Sequence, residues 1–301
     1  MHFNSYWYVG LALLSTGLLI YVAVRKGFVP SMLLLQAITG AGYMVEAVIY
    51  NFLSSYRYYP KLLSHSVIYD SNLGAIASNA FSLPVTAVFI ACFHLNKRWI
   101  AGFTLLFVGI EALFLQLGIY EHHWWRLAYT AGGLPFLYTL AIWLHRVLLR
   151  PLSGWLHGLV LFLVVGPMVG NLHILPIMLV GNRYYELGLF VNRDQDTTAF
   201  ATLYYLGASL IYVLLVKIFP RRSWLNYTLV ITLFLGINLA LSGLGLLHSL
   251  VWWDLWYYSV VLPVLMYLFT IMVANRLAGG RRQRRLGTAI SWVRKRRHPR
   301  V

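Results

Sequence analysis

Nine times along this chain an apolar run of about 20 residues recurs, the length that an α-helix needs to cross a hydrocarbon core of about 30 Å. The first five runs are Tyr6 to Val24, Pro30 to Leu53, Leu73 to Leu95, Trp99 to Leu117 and Leu127 to Leu144. Four more cover Gly154 to Val180, Thr197 to Ile218, Leu225 to Leu247 and Leu255 to Ala274. Runs such as Leu11 to Val24 or Leu159 to Val165 lack the apolar-out, polar-in alternation of an outer-membrane barrel, so helices are the expected spanning element. The expected fold class is therefore all-α, a polytopic transmembrane bundle of about nine spans. Composition agrees: 60% of residues are hydrophobic and 11% charged, against about 45–50% and about 25% in soluble domains. A water-soluble fold of this size has no interior large enough for that apolar surface.

Charge gives the bundle a direction. Short cytoplasmic loops collect Lys and Arg, and here alternate connections hold Arg25 and Lys26, Lys97 and Arg98, Arg146 and Arg150, then Lys217, Arg221 and Arg222. The opposite side keeps only Arg57, Lys61, Arg126, Arg183 and Arg193 of the 24 basic residues. The amino terminus is thus expected outside and the carboxyl terminus in the cytoplasm, which requires an odd number of spans. The eight acidic residues, Glu46, Asp70, Glu111, Glu121, Glu186, Asp194, Asp196 and Asp254, all fall in the outer loops or outer halves of spans. Such segregation points to chemistry at the outer face. The first five residues lack a basic n-region, so the first span is expected to stay as a helix rather than be cleaved. The single cysteine, Cys92, has no disulfide partner in the chain and reads as a small packing residue.

Two regions follow from this layout, a helix bundle over residues 1–275 and a basic cytoplasmic tail over 276–301. In the tail Leu286, Ala289, Ile290 and Val293 recur at helical spacing among basic residues. That pattern suits a short helix lying on an anionic leaflet, with Arg281, Arg282, Arg284, Arg285, Arg294, Lys295, Arg296 and Arg297 on lipid head groups. A basic topology determinant without fixed structure fits it equally well. Nucleic acid is not an expected partner, because membrane orientation already accounts for the charge; the expected partners are the bilayer and its anionic head groups.

Candidate chemistry begins with Glu46 and Glu111, since a carboxyl group inside a span costs about 2.5–3.5 kcal/mol on insertion scales and normally faces a bundle interior. Glu121, His122 and His123 flank them on the outer side, and Asn171 and His173 lie inside the sixth span. Such groups bind cations, pass protons or act as general acid and base. No spacing here matches a known metal-binding or catalytic motif; adjacent His122 and His123 point in different directions on a helix or a strand. No metal or cofactor is expected, and the balance favours a protein that is not an enzyme. In the sixth span, Pro167 and Pro176 bracket Gly170, Asn171 and His173, so a kink or break is expected there. Two outer loops, Ser54 to Asn72 and Gly181 to Asp196, carry similar aromatic and charged sets, Tyr56-Arg57-Tyr58-Tyr59-Pro60-Lys61 and Asn182-Arg183-Tyr184-Tyr185-Glu186. They are suited to pairing as a lid, to holding phosphate head groups through Arg and Tyr, or to lying at the interface. The similarity suggests two related halves, but the spans around the loops do not align residue by residue, and no repeat is assigned.

Tyr50-Asn51-Phe52-Leu53, Tyr59-Pro60, Pro84, Glu111, Gly118-Ile119-Tyr120, Trp124-Trp125 and Arg150-Pro151 together give residues 45–151 a likeness to a known group. That segment resembles an uncharacterised family of small multi-pass membrane proteins from spore-forming Bacillota. The resemblance implies a short helical membrane protein and carries over no catalytic residue. It departs from the family after the loop proline, where Ser64-His65 and Asp70-Ser71-Asn72 stand in place of Asn-His and Asn-Glu pairs.

Three functions fit these features, in a bacterial cytoplasmic membrane. The first is an outward-facing cavity built on Glu46, Glu111 and His173 that binds or transports a small cation, proton or polar solute. The second is a membrane-embedded enzyme acting on a lipid or lipid-linked substrate at the outer leaflet. The third is a sensor or assembly subunit that docks a cytoplasmic partner through its tail.

Overall fold

The computed structural model describes residues 2–219 and 224–279, so Arg221, Arg222 and the expected lipid contacts of the tail from Arg281 to Arg297 lie outside the described residues. Among the described residues nine helices are long and apolar enough to span a membrane, making this a multi-pass helical membrane protein. They are α1 (Phe3–Lys26), α2 (Phe28–Phe52), α3 (Val67–Cys92), α4 (Lys97–Gln116), α5 (Leu127–Leu148), α6 (Gly154–Val180), α7 (Arg193–Ile218), α8 (Trp224–Gly243) and α9 (Asp254–Leu277). Four three-residue strands join alternate spans at one end of the bundle: β1 (Tyr56–Tyr58), β2 (Tyr120–His122), β3 (Arg183–Tyr185) and β4 (Leu247–Ser249). The strands of the two similar loops do not pair with one another, since β1 pairs with β2 and β3 with β4, both antiparallel, but the loops do meet: Ser66 Oγ donates to Asp194 and Gln195 Nε2 to Ser54 Oγ.

The long loops are shorter than expected, because α3 starts at Val67 and α7 at Arg193. Ser66 caps α3 by accepting the Tyr69 N–H, and Asn192 caps α7 by accepting from Asp194 and Gln195. Asp70 and Asp196, which look like loop residues, sit in these first turns. Asp70 accepts the N–H groups of Lys61, Leu62 and Leu63 at 2.7–2.9 Å. Asp196 accepts those of Leu187, Gly188, Leu189 and Phe190 at 2.6–3.3 Å. Each carboxylate organises a loop backbone whose N–H groups otherwise lack partners.

These frames belong to a repeat that was not assigned from the sequence. The order helix, strand, helix, helix, strand, helix occurs in α2–α5 and again in α6–α9. The hydrogen bonds recur at one constant spacing. Tyr59 N–H donates to Ile119 and Glu186 N–H to Leu246; His123 N–H donates to Ser55 and Leu250 N–H to Asn182. Gly118 and Gly245 close α4 and α8 in the same left-handed conformation, φ 64° and 71°, which glycine adopts without strain. Tyr58 N–H on Ser71 and Tyr185 N–H on Thr197 complete the match, the second loop being one residue shorter. The likeness is hidden in sequence because lipid-facing apolar residues exchange freely while only the hydrogen-bonded frame is kept.

The halves meet where α2 crosses α6. A Cβ on Gly40 would lie 2.0 Å from the Leu163 carbonyl oxygen, so only glycine permits this approach of backbones. Helix α1 stands outside the repeat and is pinned to the first half: Asn4 and Ser5 donate to the Tyr59 and Pro60 carbonyls, and Tyr8 Oη to that of Ile119. Cys92 is buried and unpaired.

Of the kink or break expected in the sixth span, the break is absent. Helix α6 runs through Pro167 and Pro176 without interruption. A proline removes one N–H and neighbouring groups absorb the freed carbonyl, so a proline alone does not end a membrane helix. The irregular turns lie elsewhere, as π turns at Ala47–Phe52, Ile76–Ser82 and Tyr257–Val261. The first directly follows Glu46 and the second contains Asn79; π turns of this kind gather at functional positions.

Candidate functional site: a carboxyl-lined cavity in the first half

Glu46 ends the regular part of α2, and β1 brings the Tyr56 hydroxyl to it, 2.7 Å from each carboxyl oxygen. Asn79 of α3 donates to the Tyr56 oxygen at 3.0 Å, and Tyr58 donates to the Asn79 carbonyl oxygen at 3.1 Å. The donors thus run one way, from Tyr58 through Asn79 and Tyr56 to Glu46. Burial, reinforced by Glu46, holds the Tyr56 hydroxyl well above the usual phenol range. It therefore acts as a fixed donor rather than as a base.

A second carboxyl group, Glu111 of α4, lies 2.7 Å from His122 Nε2, both groups largely shielded from solvent. The strand pair sets this geometry, because Tyr56 stands opposite His122 in the β1–β2 register. Glu46 and Glu111 both line a cavity of about 280 Å³ between α2, α3, α4 and α5. Tyr56, Tyr58, Tyr120, Trp125 and Tyr129 surround the carboxyl end, while Phe107, Leu137 and Leu140 line the rest. Val45 and Phe136 also line it, yet they are 55% and 71% exposed, so the cavity opens on the flank of the bundle between α2 and α5. Phe136 lies nine residues into α5, about 14 Å along the helix at 1.5 Å per residue. That depth is within the apolar layer.

On its other side Glu46 borders a smaller pocket of about 90 Å³ where the two halves meet. Its lining includes Asn51, Asn72, Asn171, Thr198 and Thr202, and Tyr43 Oη donates to Asn171 Oδ1 at 2.6 Å.

Of the residues singled out from sequence, Glu46 and Glu111 share the larger cavity, His122 is bonded to Glu111, and Asn171 faces Glu46 across the smaller pocket. His173 does not join them. Its ring stacks on Tyr204 with centroids 4.5 Å apart, and its Nε2 lies 3.1 Å from Tyr185 Oη in the core of the second half. The reason is the repeat, in which His173 occupies the place that Glu46 holds in the first half. Glu121 is exposed and accepts from Tyr59 Oη, and His123 is exposed with Nδ1 2.6 Å from the Ser54 carbonyl oxygen. Neither reaches the cavity. Among the described residues no three His, Cys, Asp or Glu side chains are grouped to hold a metal ion.

The cluster around His173 was not anticipated. Arg183 of β3, 1% exposed, binds Asp254 through both Nε and Nη2, at 2.9 and 2.7 Å. Its Nη1 donates to Tyr185 and to Asn238, each at 3.0 Å, and its guanidinium lies 3.5 Å from the Tyr258 ring centroid. Burial alone would depress Arg183, but Tyr185 and Asp254 more than offset it and keep the guanidinium above its ordinary range. The repeated Arg-Tyr-Tyr in the two loops was the available signal, but strand register shifts it by one residue and puts Arg183 opposite Ser249 as Tyr56 stands opposite His122.

No family model, curated protein or solved structure matches this chain.

Proposed function

We propose that the protein binds an amphipathic, lipid-class molecule in the larger cavity, with the apolar chain entering between α2 and α5 and the polar head against Glu46, Glu111 and Tyr56. One observation carries this reading: the cavity is apolar over most of its wall, polar at one end, and open sideways at membrane depth. A hydrated ion gains nothing from walls of Phe and Leu, whereas a lipid chain does. The His122–Glu111 pair gives the site a group able to move a proton at the head, so chemistry on a lipid-linked substrate belongs to the same reading. The distribution of Lys and Arg supports a location in a bacterial cytoplasmic membrane, with the strand-bearing end outside and the carboxyl terminus inside. A cytoplasm-dependent reporter fused after Val301 would be silent if that orientation is reversed.

Gly133 lines the cavity with nothing within 4 Å of where its Cβ would be, and Gly132 beside it is equally uncrowded but outside the lining. Native mass spectrometry of protein released from nanodiscs is expected to show lipid-mass adducts that Gly133→Leu removes and Gly132→Leu keeps. Adducts that survive Gly133→Leu unchanged would remove the proposal.

A second reading is supported by the smaller pocket, whose amide and hydroxyl oxygens beside Glu46 suit a small cation or polar solute. It requires Glu46→Gln to reduce ion or solute flux in proteoliposomes; unchanged flux would exclude it.

A further inference from the structure

The two halves of the repeat differ in where they keep positive charge. In the second half a guanidinium from the chain itself, that of Arg183, sits against Asp254, on the Tyr258 ring, and in reach of Tyr185 and Asn238. The constant spacing maps Tyr185 onto Tyr58, Asn238 onto Glu111 and Arg183 onto Tyr56. The first half therefore has carboxyl groups and aromatic rings around the equivalent space, but a neutral side chain where the cation stands. Among the described residues no Lys, Arg or His lines its cavity. Glu46 makes no ion pair among the described residues, its bonded partner being the Tyr56 hydroxyl.

A carboxyl group within a low-dielectric wall is stabilised most by a cation brought to it, and aromatic faces add to that attraction. Tyr56 and Trp125, edge to face at 5.5 Å, border the same space as Glu46. An anionic head group would meet two carboxyl groups, and the one imidazole beside them, His122, is already bonded to Glu111.

We infer that the lipid-class ligand carries an amine or quaternary ammonium head, which supplies from outside the cation that Arg183 supplies internally in the second half. This rests on the proposed lipid site and sharpens it.

The test uses the whole protein in nanodiscs of zwitterionic lipid and four probes with one tail: dodecyltrimethylammonium, dodecylamine, dodecanol and dodecyl sulfate, all below micelle concentration. Binding is read as the difference between the unaltered protein and Gly133→Leu, which removes partitioning into the bilayer. Both nitrogen-headed probes are expected to bind at least about tenfold more tightly than dodecanol, and dodecyl sulfate more weakly still. Glu46→Gln, which keeps the shape and the Tyr56 bond, is expected to bring dodecyltrimethylammonium down to the level of dodecanol; Glu111→Gln serves if that variant does not fold. Dodecanol or dodecyl sulfate binding as well as the amines would overturn the inference and leave the lipid site standing. If no probe distinguishes the unaltered protein from Gly133→Leu, the lipid site itself is overturned.

Discussion

The first and second halves of the repeat share one backbone plan and fill it oppositely. In α6–α9 the space beneath the strand pair is closed by Arg183, Asp254, His173, Tyr204 and Tyr258, every one in contact with another member of the set. In α2–α5 the same space holds Glu46, Glu111, Tyr56 and Tyr58 and remains a cavity. A hydrogen-bonded frame fixed at its loops evidently tolerates exchange of the charges inside it. The half whose cation is built in becomes a structural plug, and the half without one retains room for a ligand.

The largest expected effect lies in the plug. Arg183→Met leaves Asp254 buried without its cation, only the Asn182 amide still donating to it, and should cost about 3–5 kcal/mol in unfolding free energy. Combining it with Asp254→Leu should recover most of that loss, since replacing both members of a buried pair by apolar groups is far less costly than removing one. Should Arg183→Met unfold at the same temperature as the unaltered protein, the plug is not what holds the second half, and the contrast fails.

Next in size are the loop carboxylates. Asp70→Ala and Asp196→Ala each remove an acceptor of several backbone N–H groups, worth about 1.5–3 kcal/mol for hydrogen bonds to a charged group. Equal losses in thermal unfolding would sharpen the equivalence of the halves, and a loss confined to one would break it. The smallest effect is expected for Tyr56→Phe, about 0.5–1.5 kcal/mol in stability. Its consequence should appear instead in lipid-adduct occupancy, because it frees Glu46 of its fixed donor; unchanged occupancy would take Tyr56 out of the site.

The spans were readable because each is long, apolar and bounded by charge, and Glu46 and Glu111 because a carboxyl group inside an apolar run is conspicuous. Other features were not readable for definite reasons. Asp70, Ser71 and Asn72 have the composition of a loop but lie in the first turns of α3, where backbone N–H groups from the loop and β1 satisfy Asp70 and Ser71 and the Tyr50 and Thr198 hydroxyls satisfy Asn72. The strands are three residues each, too short for alternation to show. The repeat escaped because Glu46 and His173, or Tyr56 and Arg183, are equivalent in place but unlike in chemistry. Grouping His173 with Glu46 followed from depth in the membrane, which sequence reports, rather than from which half a side chain faces, which it does not. Prolines suggested a kink or break in α6, which is unbroken, while the π turns have no residue signature of their own.

Each repeated unit contains four crossings, an even number, so a tandem copy enters the membrane facing the same way as the original. The pseudosymmetry axis is then expected along the membrane normal, unlike the in-plane axis that relates inverted repeats in many carriers. In those carriers, exchanging conformations between the two repeats turns a site from one face of the membrane to the other. Exchange between two parallel units produces no such reversal. A lipid captured from the side and presented at a single face is compatible with this symmetry, and passage to the opposite face would require a rearrangement within one unit.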